Sequence, residues 1–281
     1  MSLGKLVHRG LELWWGDKTR AVFLADDETA LYDAAKAHAM MEGYIICYGA
    51  TQSYYKTIAV EAEYRAPLLN PDTGKPSRTW VLAGKIDSIA KDRDGKIIIV
   101  EHKTTSDSVA PESDYWRKLT IDGQVSGYSV GAAALGYEPA YCLYDVLAKP
   151  QQRPLKATPE DKRVYNKDGR LSAKCREADE TPDEYGERVF DAIMDAPDKY
   201  YGRREIVRLT SEIESYYRDM WAIGLMIRAN QLNNSWPHNG NACTEFGGCE
   251  YFDVCAGFAN ISDDTLFATV EPNPELSGGR K

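Results

Sequence analysis

Asp87, Glu101 and Lys103 are the residues of this 281-residue chain best suited to do chemistry. Two carboxylates and an amine stand at the ends of two β-like segments joined by a tight turn. Carboxylate oxygens are hard ligands that hold a divalent cation. A cation so held polarises a phosphate and lowers the pKa of a bound water. An amine beside it orients that water or stabilises the negative charge that develops on attack. The chemistry such a set supports is hydrolysis of a phosphodiester bond.

The flanking segments must bring the three together. Ile97-Ile98-Ile99-Val100 is a β-branched apolar run, the pattern of a strand buried on both faces. Val81 to Ala90 reads as its antiparallel neighbour, and Lys91-Asp92-Arg93-Asp94-Gly95-Lys96 between them is a hairpin signal. Side chains alternate along a strand, so Glu101 and Lys103 share a face and His102 points away. The turn then decides where Asp87 falls. A two-residue turn at Asp94-Gly95 would set it opposite His102, on the wrong face. A three-residue turn, Arg93-Asp94-Gly95 with a left-handed Gly95, sets it opposite Glu101. The second register is the expected one, because only it lets both carboxylates reach one metal.

With Gly84-Lys85-Ile86-Asp87 and Glu101-His102-Lys103, the chain resembles the PD-(D/E)xK nuclease superfamily, and within it the RecB-like branch. Three further marks follow in the family's order. They are Gly4-Lys5-Leu6-Val7-His8 on an early helix, Gln124-Val125-Ser126-Gly127-Tyr128 after the second strand, and a C-terminal set of Cys243, Cys249 and Cys255. The Glu-x-Lys triplet alone is common; the four marks in order are specific. The resemblance implies that Asp87 and Glu101 hold Mg²⁺ or Mn²⁺, with His8 and the backbone carbonyl of His102 completing the ligands. It also implies that Gln124 and Tyr128, one helical turn apart, support Lys103 and the nucleic acid backbone. The ordinary alternatives are solvated strand carboxylates and a polar position on an amphipathic helix. Glu61 and Glu63 share the polar face of a strand around Ile58 to Tyr64; Glu63 could lie near the metal, or the two could form a solvated ladder.

There are six cysteines, and no signal peptide or membrane-length apolar run accompanies them. A reducing cytoplasm is expected, where clustered thiols read as metal ligands rather than disulfides. Cys243, Cys249 and Cys255 are equally spaced. By the resemblance they bind a 4Fe–4S cluster, with Zn²⁺ as the alternative thiolate-bound metal. The family's fourth cysteine precedes the Gly-x-x-x-His helix, whereas only three residues precede Gly4 here. Either the start is truncated or another residue ligates, and Cys47 is the first candidate by position. Cys142 reads as a core strand residue, and Cys175 has no assigned role.

A formal charge of −9 with 43% hydrophobic residues argues against a scaffold that coats nucleic acid. One segment departs from this balance: Lys149 to Arg176 carries nine basic and three acidic residues, net +6, with three prolines. It reads as a surface arm on which Arg153, Lys156 and Arg163 could contact phosphates. Elsewhere the spacing predicts helices over 4–15 and from about Asp26-Asp27 to 42, a strand from Tyr55 to Tyr64, and a strand near 140–148. Thr181-Pro182-Asp183-Glu184 opens a helix to about Ala196. A further helix over 209–232 offers Tyr217, Trp221 and Leu225 as core residues.

The fold class expected is α/β: a mixed central sheet flanked by helices, a restriction-endonuclease-like core with a cysteine-rich helical extension. One domain over 1–260 is drawn, with the cysteine segment at 236–258 and a flexible tail at 261–281. The function implied by resemblance is a metal-dependent exonuclease acting on DNA ends, with a recombination, phage or CRISPR partner. A structure-selective or restriction-like endonuclease and a non-catalytic DNA-binding module stand as alternatives. Oligomeric state is open.

Overall fold

The computed structural model of the protein describes residues 2–17, 28–270 and 276. The expected helix start at Asp26-Asp27 lies outside the described residues, as do Pro272, Pro274 and the glycine pair of the tail. In chain order the elements are α1 (Leu3–Asp17), α2 (Glu28–Gln52), β1 (Lys56–Leu69), β2 (Pro76–Lys91), β3 (Ile97–Thr105), α3 (Asp114–Lys118) and α4 (Gly123–Ala134). Then follow β4 (Tyr141–Ala148), α5 (Pro182–Asp195), β5 (Tyr201–Ile206), α6 (Thr210–Asn233) and α7 (Phe252–Cys255). The strands form one sheet in the order β1-β2-β3-β4-β5. β2 and β3 pair antiparallel, β3 and β4 parallel, and β4 and β5 antiparallel. The fold is therefore the expected α/β class with a mixed sheet.

β3 is the sheet's centre because its run of β-branched residues is apolar toward both faces. Ile98, Ile99 and Val100 are fully buried. Ile98 and Val100 pack with Trp15, Ala90 and Leu143. A second cluster joins Leu6, Val7 and Leu11 of α1 to Met40 and Tyr44 of α2 and to Tyr185, Val189 and Ile193 of α5. α5 begins where its capping box places it: Thr181 Oγ accepts from the Glu184 N–H (3.3 Å) and the Glu184 carboxylate accepts from the Thr181 N–H (2.9 Å).

Two helices differ from the sequence reading. α2 continues through Gly43 to Gln52, where the reading stopped at 42. Gly43 does not end the helix, because it is the contact point with β5 and α5: a Cβ there would lie 2.5 Å from Tyr201 Oη and 2.9 Å from Ile193 Cγ2. In α6, Tyr217 and Trp221 are half-buried and Leu225 is exposed, so the reading of these three as core residues is corrected. The one buried residue of that helix is Gly224, where a Cβ would lie 3.2 Å from Trp80. Packing through a glycine leaves the neighbouring large side chains displaced outward.

The chain divides into two compact units. Met1–Ala66 with Leu82–Tyr216 forms the first, and Pro67–Val81 with Tyr217–Lys281 the second. The first holds most of the sheet and every residue of the Asp87–Glu101–Lys103 set; the second holds Cys243, Cys249 and Cys255. Among the described residues no helix is long and apolar enough to cross a membrane.

Candidate active site

The β2–β3 turn settles the register. Asp92 N donates to Lys96 O and Gly95 N to Asp92 O, both at 3.0 Å, so Arg93, Asp94 and Gly95 form a three-residue loop. Gly95 has φ 80°, a left-handed conformation open to glycine without steric cost. Ser88 pairs with Val100 and Lys91 with Ile97, so the next pair along the ladder is Asp87 with Glu101. The two carboxylates therefore meet on one face of the sheet.

Glu101 is fully buried, and Lys103 Nζ lies 2.5 Å from its Oε1. Burial, then the nearby Asp87 carboxylate, pushes its pKa up to about 8, with Lys103 opposing. Asp87 is fixed from the backbone: the His102 N–H donates to its Oδ2 at 2.9 Å. α1 approaches here through Gly4, where a Cβ would lie 3.1 Å from Thr104 Oγ1. One helical turn on, His8 Nδ1 stands 3.9 Å from Asp87 Oδ2. Burial depresses its pKa, with His102 and Lys103 adding to the effect and Asp87 opposing it.

α4 brings in the next pair. Asp122 caps the helix by accepting from Gln124 N at 2.7 Å. Arg208 braces the same end by donating to Ser126 Oγ (3.0 Å) and to the carbonyls of Leu119 (2.7 Å) and Asp122 (3.0 Å). Gln124 Nε2 donates to Tyr128 Oη at 2.7 Å. Burial, then the Glu101 charge, raises the phenol's pKa far above its usual range, so it stays a proton donor. Sequence spacing placed Gln124 and Tyr128 on one helix face; the structure joins them directly by that hydrogen bond.

Of the residues singled out in the sequence, Asp87, Glu101, Lys103, His8, the His102 backbone, Gln124 and Tyr128 gather in one place. Glu61 and Glu63 behave differently. Glu61 adopts φ 50°, which breaks the strand's alternation, and its carboxylate pairs with Lys85 at 3.0 Å; Glu63 is exposed. Among the described residues, no three His, Cys, Asp or Glu side chains form a ready metal-ligand group. The donor set itself suits a hard cation: two adjacent carboxylates, one buried and forced toward its neutral form, lose their mutual repulsion when a divalent ion lies between them.

The sequence reading missed one group close by. Asp145, fully buried, interrupts the apolar strand Tyr141–Ala148 and stands beside His102 in the parallel β3–β4 register. A lone acid in an otherwise apolar strand was the available signal, since a charge survives there only with partners. Its partners Tyr44 and Arg203 come from α2 and β5, too far off in sequence to be paired by inspection.

All six cysteines are free. Cys243, Cys249 and Cys255 line one cavity of about 560 Å³ with Trp236, His238 and Phe252. Cys47, on α2, lines a separate cavity with Tyr48, Tyr141 and Arg203. Cys142 is a buried strand residue, as read. The basic segment is a surface strap tied at its base: Leu155 N donates to Glu180, whose buried carboxylate is gripped by Arg188 at 2.6 Å. Lys156 pairs with Asp179 at 2.8 Å, and Arg163 donates to the carbonyls of Thr158 and Glu177, both at 3.0 Å. These cations thus also hold the strap's own shape.

Compared with known proteins, the chain matches a family model described as the PD-(D/E)XK nuclease superfamily over residues 1–256. No curated protein matches it. The solved structure described as "Crystal structure of SSO0001" is similar at a TM-score of 0.23 and 15% identity, covering 69% of this chain and 75% of that one. That likeness is too slight to bear on function.

Proposed function

The chain belongs to the PD-(D/E)XK nuclease superfamily, and on that premise we propose a Mg²⁺- or Mn²⁺-dependent deoxyribonuclease of RecB-like type that degrades DNA from its ends. The observation that carries the reading is the hairpin register, which sets Asp87 opposite Glu101 with Lys103 on the same face, 2.5 Å from Glu101. Asp87, Glu101 and the His102 carbonyl would hold the cation, with His8 beside them. When bound, the cation supplies Lewis acidity and a water of lowered pKa. Lys103 orients the attacking water and stabilises the charge that develops on the phosphate. Tyr128, hydrogen-bonded to Gln124, would with it support Lys103 and contact the nucleic acid backbone. The exonuclease preference is supported by the ordered Gly4–His8, Gln124–Tyr128 and cysteine marks.

For the three cysteines the reading is a thiolate-bound 4Fe–4S centre in preference to Zn²⁺. What supports it is the resemblance, together with the lining of one cavity by all three thiols. Arg153 and its neighbours Lys156 and Arg163 would offer the strap's charge to phosphates.

The test is digestion of end-labelled linear DNA against a closed circle, with Mg²⁺ or Mn²⁺, with EDTA, and with Lys103→Ala. Loss of linear DNA alone, stopped by EDTA and by the substitution, is expected. Nicked circles would make it an endonuclease. Folded, metal-loaded protein that cuts neither would make it a binding module.

A further inference from the structure

Behind the carboxylates, on the opposite face of the sheet, lies a buried polar network that the proposed reaction does not use. The His102 ring points into it, almost wholly buried, 5.5 Å from the Trp15 ring, with Nδ1 3.3 Å from Asp145 Oδ2. Asp145 accepts from Tyr44 Oη (2.5 Å), from Arg203 Nε (3.2 Å) and from Arg203 Nη2 (3.0 Å). Tyr44 Oη also receives Trp15 Nε1 at 3.2 Å and Arg203 Nη2 at 2.8 Å. The Arg203 guanidinium lies over the Tyr48 ring at 3.8 Å. Five elements, α1, α2, β3, β4 and β5, are cross-braced at this point.

We propose that Asp145, with Arg203 and Tyr44, is a positioning device that fixes the His102 peptide and through it the spacing of the metal-binding groups. His102 is the hinge of the argument because its backbone serves the site while its side chain serves the network. Its N–H holds Asp87 Oδ2 at 2.9 Å, and its carbonyl is the backbone ligand proposed for the metal. Rotation of β3 about its axis would move both groups, and the His102 ring, packed against Trp15 and 3.3 Å from Asp145, opposes it together with the pairing of β3 to β2 and β4.

A buried acid, arginine and histidine are a costly way to fill a core. Apolar side chains of similar volume are often as stabilising or more so. What the hydrogen bonds among Asp145, Tyr44, Arg203 and Trp15 add is a single geometry, because each is lost if the strands slip. The network is placed directly behind the one residue whose peptide touches Asp87. Burial alone would push the Asp145 carboxyl upward, but Arg203 and His102 outweigh it and hold the group below the usual carboxylate range.

The inference rests on the metal-dependent reading above, and its test is arranged to separate the two. Mn²⁺ binding is measured by calorimetry on the full chain for wild type, Asp145→Asn and Tyr44→Phe, with melting temperature and with the DNA KM recorded alongside. Asp145→Asn is expected to weaken Mn²⁺ binding by about 10-fold or more. The DNA KM should be unchanged, and raised Mn²⁺ should restore the cleavage rate. Tyr44→Phe, which removes one hydroxyl and keeps the ring, should shift Mn²⁺ affinity in the same direction by less. Variants whose melting temperature falls while Mn²⁺ affinity stays at the wild-type value would overturn the inference and leave a merely structural network. If Asp145→Asn does not fold, Tyr44→Phe decides alone by the same criterion. A wild-type chain that binds no Mn²⁺ overturns the underlying reading as well.

Discussion

Glu101 concentrates the electrostatics of the site in one side chain. Its folded pKa of about 8 stands well above the ~4.3 of an unfolded glutamate. Between those values the folded chain holds a proton that the unfolded chain has released, so stability falls as pH rises through the window. In EDTA, the melting temperature should therefore decline from about pH 5 to about pH 8 relative to Glu101→Gln. Divalent metal should restore more stability at about pH 8 than at about pH 6, because its binding expels that proton. A wild type that tracks the glutamine variant across this range would show that Glu101 is not held in its neutral form. Asp87, Glu101 and Lys103 were legible in the sequence because strand alternation is a local rule. Asp145 and Arg203 were not, since their meaning comes from the pairing of β4 with β3 and β5, which no local pattern encodes.

Elements position these residues through turns and close contacts. The Asp92–Lys96 turn was readable because Gly95 follows Asp94 and the two registers have opposite consequences for Asp87. The length of α2 was not, because a glycine mid-helix looks like a stop until its neighbours are known. Gly43→Ala tests that contact. Helix propensity alone favours alanine by ~1 kcal/mol. A Cβ 2.5 Å from Tyr201 Oη and 2.9 Å from Ile193 Cγ2 should reverse the sign, and we expect a net loss of about 1–3 kcal/mol in urea unfolding. A more stable variant would mean that α2 shifts freely on α5 and β5. Glu61 makes a related point: its left-handed φ shifts the alternation of β1, which a period-two reading of that strand could not anticipate.

For the molecule as a whole, a net charge of −9 is compatible with DNA as substrate only if positive groups are local. The strap between β4 and α5 supplies such a group, and its tethering through Glu180 and Arg188 explains why a proline-rich basic stretch holds a defined course. The strands and helices of an α/β class were legible from local patterns, whereas the mixed sheet was implied by the family resemblance. The exposed flank of α6 was not, because helical spacing of large residues does not say which face finds a partner. The cysteine-lined cavity carries its own prediction. Protein purified without oxygen should contain iron and acid-labile sulfide with a broad visible absorption, and Cys249→Ala should lose both. Zinc in place of iron would change the identity of the centre, and neither metal would remove it. The central claim, that the facing carboxylates beside Lys103 cut DNA with a metal, is tested most directly by single-turnover cleavage of end-labelled linear DNA in saturating Mn²⁺ by wild type and Glu101→Gln. The account predicts a rate at least about 100-fold lower for the variant, with its melting temperature in EDTA preserved; equal rates would contradict it.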